Sequence, residues 1–107
     1  MEALTIAKAI NSRIIELELA KKELPALAQK KAETLAAYEK AIAIETFKLA
    51  QDTSISIIDK LAKGNCSDLR MQMDLAESAY KNALKIIDIT QAQLNGYQSI
   101  NRYLSEV

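Results

Sequence analysis

The chain has 107 residues, enough for one domain, and its 14 basic and 14 acidic residues cancel, which gives no reason to expect a nucleic acid or an anionic membrane as a purely electrostatic partner. Two Gly and one Pro speak against a many-turned β architecture. The absence of His and the single Cys remove the commonest general base, the commonest metal ligand and any internal disulfide, so the residues point to a cytoplasmic non-enzyme with no metal and no cofactor.

The N-terminal stretch has neither the uninterrupted apolar run of a signal peptide nor that of a membrane span, because Lys8, Asn11, Arg13 and Glu16 break it. From Ala7, steps of three and four reach Ile10, Ile14, Leu17, Lys21, Leu24, Ala28, Lys31, Leu35, Tyr38, Ile42, Glu45 and Leu49. All but Lys21, Lys31 and Glu45 are apolar, a heptad register that no strand imitates. Pro25 falls inside it without shifting it. The pattern predicts one helix over about residues 3–51, bent near Pro25, with two helices meeting there as the competing reading.

Residues 52–66, DTSISIIDKLAKGNC, place Ile55, Ile58 and Leu61 at helical spacing behind Ser54, a suitable N-cap. A short helix over about 54–63 that closes the end of a hairpin is expected, with a short extended piece at Ile55–Ile58 as the alternative. Gly64 or Asn65 can take the left-handed conformation that ends a helix, and Ser67 can cap the next. A second register then runs Leu69, Met73, Ala76, Tyr80, Ala83, Ile87, Thr90, Leu94, Tyr97, Asn101, Leu104, predicting a helix over about 67–105.

The fold expected is therefore all-α: a single domain over 1–107, a long coiled-coil-like antiparallel hairpin with a short connecting helix. Centring the reversal on the whole connector puts residues whose numbers sum to about 118 level with one another, Tyr38 by Tyr80 and Ile14 by Tyr103, with the first dozen residues overhanging. A second apolar set lies off the seam at Ile6 and Leu27, and at Ile15, Leu19, Ile44, Phe47, Leu75, Ile86, Ile89 and Ile100. Those last eight are the expected interface of a homo-oligomeric bundle, since apolar stripes on both sides of a hairpin need cover.

Cys66 beside a helix start lacks the histidine a thiol nucleophile would use, and reads as a small turn residue. No Glu-x-x-His pair exists for a helical-bundle metal site. Lys21, Lys22, Lys30 and Lys31 around Pro25 form a candidate cluster for a phosphate-bearing ligand. Tyr97, Gln98, Asn101, Arg102 and Tyr103 combine aromatics, amides and a guanidinium in the stretch most suited to recognition. Asn101, a polar residue on the seam, is in a position to fix register.

The stretches LAAYEKAIAIETFKLAQ, DKLAKGNCSDLR and MDLAESAYKNALKIIDITQAQLNGYQSINRYL resemble, in texture and spacing, the small helical-hairpin accessory proteins of phages and prophages, over roughly residues 35–104. The resemblance implies a non-catalytic accessory that acts through partners, as a helper in recombination or replication or as an inhibitor of a host defence system. The leading expectation is a non-enzymatic helical homo-oligomer that binds a protein partner. The alternative is a nucleotide or nucleic-acid binder that uses the lysines and tyrosines.

Overall fold

A computed structural model describes residues 2–106. Three α-helices follow one another: α1 Ala3–Leu49, α2 Ile55–Asn65 and α3 Ser67–Glu106. Helix α1 runs unbroken through Pro25, which lies inside it; the reading of two separate helices meeting there does not hold. Lys48 sits in its last turn, where a cation complements the helix dipole. No helix of the described residues is long and apolar enough to cross a membrane.

The chain reverses within residues 50–54, which the Asp52 and Thr53 amides tie back to the Leu49 carbonyl at 3.3 and 3.0 Å. Ser54 occupies the N-cap of α2, but its hydroxyl makes no capping bond and sits 3.1 Å from Ser56 Oγ. The residues Ile55–Ile58 are helical, which removes the extended alternative.

Helices α2 and α3 are separated by Cys66 alone. Neither Gly64 nor Asn65 takes a left-handed conformation, and Ser67 is the first residue of α3. The Cys66 amide donates to the Ala62 carbonyl at 3.1 Å and the Arg70 amide to the Cys66 carbonyl at 3.0 Å, so the i→i−4 pattern of an α-helix crosses the junction. The buried line Ile58, Ala62, Cys66 therefore continues directly into Leu69, Met73 and Ala76. Helix α2 is the short connecting helix expected, and it already forms the first stretch of the returning arm.

That placement moves the register. The chain divides into two units, one of Met1–Pro25 with Lys81–Val107 and one of Ala26–Tyr80, and α1 packs antiparallel to the returning arm in each. In the second unit Glu45 meets Asn65, Tyr38 meets Arg70 and Lys31 meets Tyr80. In the first, Arg13 meets Gln93. Tyr38 is thus level with Arg70 and not with Tyr80, ten residues from the sequence expectation. The turn at 50–54, not the midpoint of the whole connector, sets the pairing. The N-terminal dozen do not overhang: Ile6 is fully buried, at 0% exposure.

The inward line of α1 also differs in the first unit. Ile6, Ile10, Arg13, Leu17, Ala20 and Leu24 are buried or half-buried there, while Ala7, Ile14 and Lys21 are exposed. The core of this unit is Ile6, Leu17, Thr90 and Leu94; that of the other is Tyr38, Ile58, Ala62, Cys66 and Ala76.

Candidate interaction surfaces

The four candidate lysines do not converge. Lys21 and Lys22 are exposed residues of the first unit, and Lys30 and Lys31 belong to the second. Lys30 lines a groove of about 400 Å³ with Leu27, Thr34, Gln72, Leu75, Ala76 and Ala79. Lys31 lines a different hollow, of about 220 Å³, with Leu35, Met73 and Glu77. Its ammonium lies 5.0 Å from the centre of the Tyr80 ring, a cation–π contact that gives the half-buried lysine a use within its own unit. Two adjacent helical residues point about 100° apart, which is why neighbours in sequence end on separate surfaces.

Arg70 lies 5.6 Å over the Tyr38 ring and pairs with Asp74 at 3.3 Å. Tyr38 first, and then the Asp74 carboxylate, hold its pKa above the usual arginine value. Tyr38 is itself buried, so the pair acts as packing with a charged rim. The ion pairs Arg13–Glu16, Lys48–Glu45 and Lys63–Asp59 join residues three or four apart on one helix. At such exposure each contributes at most a few tenths of a kcal/mol.

In the C-terminal stretch Tyr97 is half-buried, whereas Gln98, Asn101, Arg102 and Tyr103 are exposed. Asn101 is therefore not the buried polar seam residue expected. Buried polarity sits instead at Thr90 and, half-buried, at Arg13, Lys31, Thr34, Glu45, Thr53, Glu77 and Gln91. Arg13 was not a sequence candidate. It donates to Gln93 Oε1 at 3.1 Å and to Glu16 Oε1 at 2.9 Å, while its buried Nε has no hydrogen-bond partner. Its only sequence signal was its place three residues after Ile10 and four before Leu17.

All eight candidate interface residues, Ile15, Leu19, Ile44, Phe47, Leu75, Ile86, Ile89 and Ile100, are exposed. They are joined by Leu4, Ile55, Ile57, Leu61 and Met71. Compared with protein-family models, curated proteins and solved structures, the chain matches none. Large aliphatic side chains are the type whose exposure costs most. Among the described residues no group of three or more Cys, Asp or Glu is arranged to hold a metal ion.

Proposed function

We propose that this chain is a non-enzymatic helical interaction module that works as a homo-oligomer and engages a protein partner through the outer faces of its long helices. The observation that carries the reading is the set of large aliphatic side chains left exposed beside the buried core of each unit. Surface of this kind marks association sites, because scattered single exposures are ordinary but spaced lines of Leu and Ile are not. A cytoplasmic role as a phage or prophage accessory protein, or as an inhibitor of a host system, belongs to the same proposal on the strength of the resemblance in texture.

The nucleotide or nucleic-acid reading draws less support, since Lys30 and Lys31 line separate hollows. One experiment separates the two. Light scattering on freshly purified protein, with absorbance at 260 and 280 nm, should give the mass of a dimer or larger with a protein-like ratio. With four Tyr and no Trp, a retained nucleotide would dominate the absorbance. Excess absorbance at 260 nm would favour the ligand-binding reading, and a monomer that turned over a substrate would overturn the proposal.

A further inference from the structure

We infer that the terminal unit, Met1–Pro25 with Lys81–Val107, opens as one cooperative clamp while Ala26–Tyr80 stays folded. The opening belongs to a single copy and does not depend on association. It bares Ile6, Leu17 and Leu94, which the closed unit buries.

Connectivity sets the order. Ala26–Tyr80 is one continuous stretch, and the turn at residues 50–54 brings its two helical arms together. That stretch can fold, and stay folded, without the termini. The terminal unit consists of two segments joined only through it. On its own, the terminal unit would have to hold Ala26–Tyr80 as an open loop and bear the full entropy of closing it. Of the two half-open forms, only the one with the turn unit folded escapes that cost.

Two local features place the break and weaken the terminal side of it. On α1 the division falls at Pro25, whose missing N–H leaves the Lys21 carbonyl without its helical donor. The hydrogen-bond ladder therefore has its gap at the edge of the unit that opens. Inside that unit the buried Arg13 Nε has no hydrogen-bond partner, a cost that only the closed form carries. The same guanidinium reaches Gln93 across the helix pair at 3.1 Å, at an exposed position where water competes for both groups. The turn unit is tied across its helices at three levels, by Glu45–Asn65, Tyr38–Arg70 and Lys31–Tyr80.

Native-state hydrogen exchange of the full chain, followed residue by residue at one protein concentration, tests this. The slowest amides of residues 3–25 and 81–106 should share one protection factor. It should lie at least about tenfold below that of the slowest amides around Tyr38, Ile58 and Ala76. Ile58→Val should lower protection within Ala26–Tyr80 by roughly two- to tenfold and leave the terminal unit unchanged, because the clamp opens without disturbing Ile58. Leu17→Ala should lower protection in both units by the same factor, at least about tenfold, since the turn unit unfolds only from the opened form. A Leu17→Ala chain whose termini stay open with Ala26–Tyr80 still protected would equally support the clamp. One protection factor common to both units would overturn it, and so would a steady decline towards the chain ends without a shared opening. A terminal unit that loses protection on Ile58→Val would overturn the order of opening, and the clamp with it.

Discussion

Cys66 is 4% exposed, and it is the one residue between α2 and α3. Its side chain continues the buried line from Ala62 to Leu69, so the thiol is core material and reaches reagent only when the arm opens. Native protein should therefore react with an aromatic disulfide reagent about a hundredfold more slowly than protein unfolded in guanidinium, followed by thiolate release. Modification of native protein at the rate of a free thiol would show that Cys66 is a surface group. Tyr38 and Lys31 illustrate the same economy. Each was a candidate for recognition or seam, and each is taken up by a neighbour across the helix pair, Arg70 and Tyr80 respectively.

At the scale of the helices, Pro25 is the most informative residue. It is exposed inside an unbroken α1, and without an N–H it leaves the Lys21 carbonyl without its helical donor. Pro25→Ala should restore that bond and relieve the ring's clash, raising stability by about 2–3 kcal/mol. The gain would appear as a higher denaturation midpoint with an unchanged slope, at one protein concentration. A lower midpoint would mean that the local geometry proline imposes is needed for packing. The helices themselves were legible in the sequence because a heptad sustained over several turns has no competing interpretation. The reversal was not. Gly64 and Asn65 have the composition of a helix stop, and only the burial of Ile58, Ala62 and Cys66 shows that the arm begins before them. Glycine's cost inside a helix, about 1 kcal/mol, is small beside the burial of that line. The inward face of α1 was ambiguous for another reason. Ile10, Ile14, Ile15, Leu17 and Leu19 surround the helix, so periodicity alone did not choose Ile6 and Arg13 over Ala7 and Ile14. The separation of Lys30 from Lys31 was in principle readable from helix geometry, but not which hollow each would border.

For the whole molecule, the decisive quantity is the apolar surface that its own fold leaves uncovered. If a second copy covers that surface, as proposed, association ties stability to concentration. If folding and dimerisation are linked, each tenfold increase in protein concentration should raise Tm by about 3 °C, since the added mass-action free energy is spread over the unfolding entropy of two chains. The formal charge is zero and the exposed Leu and Ile side chains carry no ion, so this dependence should persist between low and moderate salt, where an electrostatic assembly would weaken. Differential scanning calorimetry over a hundredfold concentration range, at two ionic strengths, measures both effects. A Tm independent of concentration would place the chain's stability wholly within the single copy. A dependence lost on adding salt would move the association from the exposed aliphatic side chains to the lysine and glutamate faces.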